Sequence, residues 1–462
     1  MPYILKKYYP KRNLVFVFGE GLLIFFIINA VFITWMGWVK YNELLFLFLL
    51  RALVVTLIFQ LCFYFFDLYD HAVIPRFADH LLRVLQTFGV GCILLALIYS
   101  LFPYLNISDG AFWSGLAAAG LMILFWRLLY FWALENRLFT QPIALIGTGR
   151  SAAQIAAAIE GRQDSGFVIA AFVKSKESEI ADEQKGVPVF SEIKELRRLC
   201  ESGAVEKIVL ALDEKRGILP MHELIEYKFM GIHITDAVGF YEELTGKIMV
   251  KNVNPSWLLF SEGFYVSRIR RALKRGMDLC IALVVFTATL PIFIVSALII
   301  KLESGGGVFY IQERVGEHGR PFKILKFRSM REDAEKNGPV WAANGDDRVT
   351  RYGRFIRKTR IDELPQLLNV LKGDMSFVGP RPERPVFVEN LAQHIPFYPI
   401  RHMVKPGITG WAQVYYPYGS SEEDALHKLE YDLYYLKNMS VAMDLSTIFQ
   451  TIKVVIFQKG SR

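Results

Sequence analysis

The apolar positions of this chain fall into two patterns. Over the first third they form long unbroken runs, at residues 14–39, 44–66, 84–105 and 111–134. Each run is long enough for a helix of about 20 residues to span a hydrocarbon layer of roughly 30 Å, so a transmembrane four-helix bundle is predicted over 1–138. The first run exceeds the apolar core of a signal peptide, about 7–15 residues, and no small-residue cleavage site follows it, so the segment is expected to be retained. From about residue 141 short apolar blocks alternate with amphipathic stretches. Residues 143–146, 167–173, 208–212 and 232–235 predict strands, and 152–159 an alanine-rich helix. Alternating strands and helices build a parallel sheet covered on both faces. A Rossmann-like α/β domain is therefore expected over 139–250, followed by a linker over 251–270.

A fifth apolar run, 279–300, interrupts the polar C-terminal region of 271–462. Pro291 sits near its centre, where it removes a helical hydrogen bond and clashes with the preceding turn. Arg270, Arg271, Lys274 and Arg275 precede the run and Lys301 follows it, so both flanks prefer the cytoplasmic side. The run reads as a re-entrant helix that turns at Thr289-Leu290-Pro291 and returns to the same face. A fifth, proline-kinked crossing is the alternative.

Composition agrees with a membrane protein. Of 462 residues, 53% are hydrophobic and only 21% charged, and mean hydropathy is +0.29, which excludes a disordered chain. Lys6, Lys7, Lys11 and Arg12 precede the first run, Arg76 and Arg83 lie between the second and third, and Arg137 follows the fourth. The third-to-fourth connection, 106–110, has no Lys or Arg, so both ends of the bundle are expected in the cytoplasm. Intramembrane charges often mark a pathway, but Arg51 and Arg127, single arginines next to aromatics, read first as helix-pairing or snorkelling side chains. The net charge of +8 fits an anionic partner without naming one. The four cysteines offer neither a disulfide framework nor a paired metal-ligand spacing.

The first candidate for chemistry is Gly147-Thr148-Gly149, between a strand and a helix, where glycines allow either a nucleotide phosphate at the helix N-terminus or a tight packing turn. About 20 residues on, where a dinucleotide ribose needs Asp or Glu, the chain reads Phe172-Val173-Lys174-Ser175. The second lies beyond the fifth run, where Lys323 to Arg328 and then 348–360 place a basic residue every few positions. Aromatic stacking motifs for bases are not interleaved, and the segment follows a membrane insertion, so a phosphorylated small molecule or lipid fits better than nucleic acid. The segment Arg360-Ile361-Asp362-Glu363-Leu364-Pro365 opens an amphipathic stretch. Pro365 is tolerated only in a first helical turn, so Asp362 and Glu363 are expected at or next to a helix N-terminus. Neighbouring helical residues point about 100° apart, so one carboxylate can attack phosphorus while the other holds Mg²⁺. A helix cap and a first-turn acid would give the same pattern. Pro380-Arg381-Pro382 and Lys405-Pro406-Gly407 add rigid turns carrying cations suited to phosphate.

Taken with Lys274-Arg275-Gly276-Met277-Asp278 and the segments 323–330, 347–353, 357–365, 371–382 and 405–414, the C-terminal region resembles the large monotopic phosphoglycosyl transferases of bacteria. The N-terminal bundle and α/β middle domain resemble the long-form members in architecture. The resemblance implies an inner-membrane, multi-pass enzyme with its α/β catalytic domain on the cytoplasmic face. It would move sugar-1-phosphate from a UDP-sugar to undecaprenyl phosphate, releasing UMP, and so initiate exopolysaccharide, capsule or O-antigen synthesis. In that reading Asp362 is the nucleophile, Glu363 the Mg²⁺ ligand, and Arg381 a phosphate contact. Lys274, Arg275, Asp278, Lys326, Arg328, Arg360 and Lys405 complete the expected substrate-binding set, with a homodimer as the expected assembly. The family's bend often carries Ser-Pro where this chain has Leu290-Pro291. Two competing readings are a membrane nucleotide-sugar dehydratase and a catalytically inactive scaffold. The dehydratase would need a Tyr-x-x-x-Lys pair, which occurs only at Tyr3 and Lys7, ahead of the bundle.

Overall fold

Within a bilayer a backbone must satisfy its own polar groups, which a helix does inside one segment, and the apolar runs fold accordingly. The computed structural model describes residues 3–4, 7–8, 11–69, 77–136, 138, 140–162, 165–174, 186–212, 220–253, 255–265, 267–304, 306–331, 347–416, 419 and 421–457. Lys6, Arg76, Arg137 and Ser175 lie outside them. The chain divides into two compact units, the division falling between Phe240 and Tyr241.

The first unit opens with α1 (Lys11–Met36), α2 (Leu45–Phe65), α3 (Phe77–Leu101) and α4 (Asp109–Glu135). All four are long and apolar enough to cross a membrane. Gly37, with φ of 78°, ends α1 short of the apolar run by taking a left-handed conformation open to glycine. α3 begins seven residues before its run because polar Asp79, His80 and Arg83 extend the same helix. Arg127 is wholly buried and ion-paired to Glu20 at 2.8 Å. It also donates to the Leu68 carbonyl and lies 2.6 Å from His80 Nε2. Arg51 donates to the Tyr104 carbonyl at 2.7 Å. Arg127 therefore pairs helices. Glu20, its partner, stood in the sequence only as one carboxylate in an apolar run. An intramembrane charge of either sign is tolerable because the other is buried beside it.

The α/β part of this unit contains β1 (Gln141–Ile146), α5 (Arg150–Glu160), β2 (Phe167–Val173), β3 (Val189–Phe190), β4 (Lys207–Leu210) and β5 (His233–Asp236). The sheet is wholly parallel in the order β3-β2-β1-β4-β5. That is the doubly wound topology expected, with the two-residue β3 as an addition no apolar block announced. Gly147, at φ 115°, follows β1, and a Cβ there would collide with the Ala211 carbonyl oxygen. The glycine is required by close packing of two backbone segments, which favours the packing turn. Gly149 directly precedes α5.

α6 (Met221–Phe229) belongs to the first unit, and the main architecture of the second begins with α7 (Arg268–Ser304), helical for 37 residues with Pro291 inside it. The helix is not interrupted at Thr289-Leu290-Pro291. The Thr289 hydroxyl donates to the Val285 carbonyl at 2.7 Å, a back-bond that accompanies bending. Before the proline, Ala282, Val285 and Phe286 pack with Ile324, Leu367, Val370 and Met375. After it, Phe293, Ala297 and Ile300 pack with Phe327 and Ile356. The other side stays apolar and exposed at Leu283, Val284, Val295 and Leu298. Beyond α7 come an antiparallel hairpin of β6 (Phe309–Val315) and β7 (Pro321–Phe327), then α8 (Arg351–Lys358) and α9 (Gln366–Lys372). A parallel pair, β8 (Ser376–Val378) with β9 (Gly407–Thr409), and the helices α10 (Glu422–Asn438) and α11 (Val441–Ile456) complete it.

Candidate active site

The chain that carries the two acids is shaped by its backbone first. α8 stops at Lys358, and Arg360 takes a left-handed conformation with φ of 60°. This reversal leads into a single 3-10 turn over Ile361–Glu363, and Pro365 then leads into α9. Asp362 and Glu363 therefore precede α9 by one turn instead of forming its first residues. Asn369 fastens α9 to the hairpin: its side chain donates to the Lys323 carbonyl at 2.8 Å and accepts from the Leu325 N–H at 3.0 Å. The two bonds hold the acid-bearing turn against the strand that carries Lys326.

Glu363 is buried, and its Oε1 gathers three cations: Arg381 at 2.9 Å, Arg360 at 3.4 Å and Lys326 at 3.9 Å. Burial alone would raise its pKa, but Arg381, then Lys326 and Arg360, hold the carboxyl below its ordinary range. Asp362 is shifted the other way. Burial pushes it up first and the anionic Glu363 second, against the pull of Lys326, Arg360 and Arg357. Its Oδ1 is enclosed and has no hydrogen-bond partner among the described residues. Burial draws Lys326 down to about 8, opposed by Glu363. Two adjacent acids thus acquire opposite characters, one a fixed anion and one a carboxylate with an unused oxygen.

Arg381 is aimed by the parallel strand pair. A Cβ on Gly379 would collide with the Lys405 carbonyl, so only glycine lets the two segments approach. The two forks of the guanidinium then reach Glu363 Oε1 and Gln413 Oε1, each at 2.9 Å. Its backbone carbonyl accepts from Arg401, which is ion-paired to buried Asp432 at 2.7 Å.

Four other expected site residues are bound to protein groups instead of to the two acids. Lys274 donates to Asp444 at 2.8 Å and to the Val378 carbonyl at 3.0 Å. Arg275 donates to the Val370 and Leu371 carbonyls, and Lys405 to that of Gly373. Asp278 accepts from Ser376 Oγ and the Phe377 N–H. The last carbonyls of a helix lack intrahelical partners, so Arg275 and Lys405 finish α9, while Lys274 and Asp278 moor α7 to β8. Arg328 follows β7, its N–H donating to the Val308 carbonyl. The cluster thus gathers Asp362, Glu363, Lys326, Arg360 and Arg381. Gln413, Arg357 and the Arg401–Asp432 pair had no assigned role in the sequence. The one available signal was a pair of acids, Glu430 and Asp432, among apolar and aromatic neighbours in Leu429 to Tyr435.

Comparison with known proteins gives the family. Residues 269–458 match the family model described as bacterial sugar transferase, and residues 64–229 match one described as CoA-binding domain. The UDP-N-acetylgalactosamine-undecaprenyl-phosphate N-acetylgalactosaminephosphotransferase of Aeromonas hydrophila is 45% identical over 221 residues, 48% of this chain and 52% of that protein. The match thus spans about half the length of that relative. The UDP-galactose-lipid carrier transferase of Erwinia amylovora is 32% identical over 71% of this chain and 70% of its own length. The UDP-glucose:undecaprenyl-phosphate glucose-1-phosphate transferase of Xanthomonas campestris pv. campestris is 28% identical over 99% of this chain and 96% of its own length. On these matches the chain belongs to the bacterial sugar transferase family.

Proposed function

We propose that this protein transfers sugar-1-phosphate from a UDP-sugar to undecaprenyl phosphate by way of a phosphosugar carried on Asp362. The observation that carries the reading is the unpartnered Asp362 Oδ1 beside a Glu363 ringed by three cations. An Asp362 oxygen attacks the β-phosphorus of the donor. The bond from that phosphorus to the bridging oxygen breaks, and UMP departs with the electron pair. A phosphate oxygen of the lipid then attacks the same phosphorus, and the Asp362 carboxylate is released as undecaprenyl diphosphate sugar forms. Lys326, Arg360 and Arg381 supply positive charge where phosphate oxygens accumulate it.

The acid pair also fits a Mg²⁺ site of the kind built from one or two carboxylates plus substrate phosphates. Among the described residues no group of three or more potential ligands is present, so the donor's own phosphates would complete the shell with Glu363. The ion would contribute charge neutralisation on the diphosphate. Packing of both halves of α7 on one unit supports the re-entrant reading, in which the helix dips into the inner leaflet and returns. In that arrangement the catalytic face lies on the cytoplasmic side of the inner membrane, and the packing role of Gly147 supports a structural middle domain over a nucleotide-binding one.

The test is UMP release by the purified full chain with Mg²⁺, undecaprenyl phosphate and a panel of UDP-sugars, including the N-acetylgalactosamine, galactose and glucose donors. Lipid-dependent UMP from one donor is the expected result. Silence across the panel from folded protein would replace this reading with the scaffold. The same assay carries a pH prediction. Asp362 acts as the anion, so its raised pKa moves the acid limb above the ordinary carboxylate range: activity falls as pH drops through it. Lys326 acts as the cation, so activity falls again as pH rises through about 8. Lys326→Arg, always charged, should remove the alkaline limb, and an unchanged limb would take Lys326 out of the site.

A further inference from the structure

Gln413 is held by one end of its amide only. Arg381 Nη1 donates to Gln413 Oε1 at 2.9 Å. A guanidinium has no acceptor, so the amide oxygen must face Arg381 and the amide nitrogen must point away. That nitrogen, Nε2, is enclosed and has no hydrogen-bond partner among the described residues. Leaving a buried donor unpaired is costly, and the alternative was simple. A glutamate would hold Arg381 more strongly, as an ion pair, and leave no donor unpaired.

The side chain is also well positioned. It stands on the short helix Trp411–Tyr415, which is tied down by the Trp411 indole N–H donating to the Gly246 carbonyl at 3.2 Å and by the Val414 N–H donating to that of Gly410. Gly410 itself packs too closely on Gly379 to admit a Cβ. Through Arg381, whose other fork bonds Glu363, the amide is one link from the acid pair. The unpaired Gln413 donor and the unpaired Asp362 acceptor are thus both enclosed at one site and wait on complementary groups.

We propose that the Gln413 amide N–H donates to an oxygen of the donor nucleotide-sugar beyond its α-phosphate, either on the β-phosphoryl group or on the sugar. This rests on the reading of the protein as a UDP-sugar transferase. Gln413 then does two things: its oxygen fixes Arg381 and its nitrogen touches substrate.

The experiment is titration calorimetry on the full chain in detergent with Mg²⁺, using UMP, UDP, UDP-N-acetylgalactosamine and UDP-glucose. The proteins are Asp362→Asn, which should bind without turnover, and the same protein carrying Gln413→Glu. Glutamate keeps the bond to Arg381 and replaces the donor with an acceptor. About tenfold or greater weakening toward UDP-sugars is expected, with UMP affinity unchanged. Weakening that extends to UDP locates the contact on the phosphoryl oxygen, and weakening confined to UDP-sugars locates it on the sugar. Gln413→Ala should bind no more weakly than Gln413→Glu, whereas a purely structural tether would make alanine the worse variant. Thermal melting checks that each variant is folded. Equal UDP-sugar affinity with and without Gln413→Glu would overturn the inference and leave the transferase reading standing. Failure of every protein with Gln413 intact, wild type included, to bind any UDP-sugar would overturn both.

Discussion

Replacing Asp362 with asparagine is expected to stop UMP release, lowering the rate by at least about a thousandfold. The amide occupies the same volume, so the 3-10 turn over Ile361–Glu363 and the Asn369 bonds to the hairpin should persist. The nucleophile is what changes, because an amide oxygen has neither the charge nor the lone-pair reactivity to displace UMP. Donor binding should change little, since the cations that meet phosphate are arranged around Glu363. A second readout separates the nucleophile from a mere positioning group. Without lipid phosphate, donor labelled in its sugar should leave label on the wild-type protein and none on Asp362→Asn. UMP release near the wild-type rate, or label retained by the variant, would remove Asp362 from the first step.

Loss of Arg381 should be the next most damaging change. Arg381→Ala removes the shortest of the three ion pairs on Glu363 and the bond to Gln413 together. Preorganised donors of this kind typically contribute about a hundredfold to a thousandfold, and a rate loss of that order is expected. Lysine should restore little, because one ammonium cannot reproduce a planar fork that meets two oxygens at 2.9 Å. Removing the nearest cation also raises the proton affinity of Glu363, which Arg381 does most to hold down against burial. A rate within about threefold of wild type would reduce Arg381 to a packing residue.

What could be read in the sequence differs from element to element for physical reasons. The membrane helices and the β2 strand were legible because burial leaves a repeating signature in consecutive residues. The acid pair was legible as a candidate because Pro365 restricts where a helix can begin. The charge state of that pair was not. Neighbouring acids in a chain look alike, but burial and the anionic Glu363 push Asp362 up, while Arg381, eighteen residues away, and Lys326, on another element, hold Glu363 down against its own burial. The roles of Lys274, Arg275, Asp278 and Lys405 were equally hidden. A cation that reaches substrate and one that completes a helix end have the same letters, and only the position of the α9 carbonyls distinguishes them. The pairing of Arg127 with Glu20 required two helices to meet.

The sequence alone determined the order of apolar spans, the parallel α/β middle and the residue types available for phosphate chemistry, because each depends on local periodicity or on chain stiffness at glycine and proline. The tertiary structure alone decided which acid is held below its ordinary range, which cations face it and which amide end is left unpaired. Those properties depend on distances between groups far apart in the chain, and electrostatic and hydrogen-bond energies change steeply over a few ångströms once water is excluded.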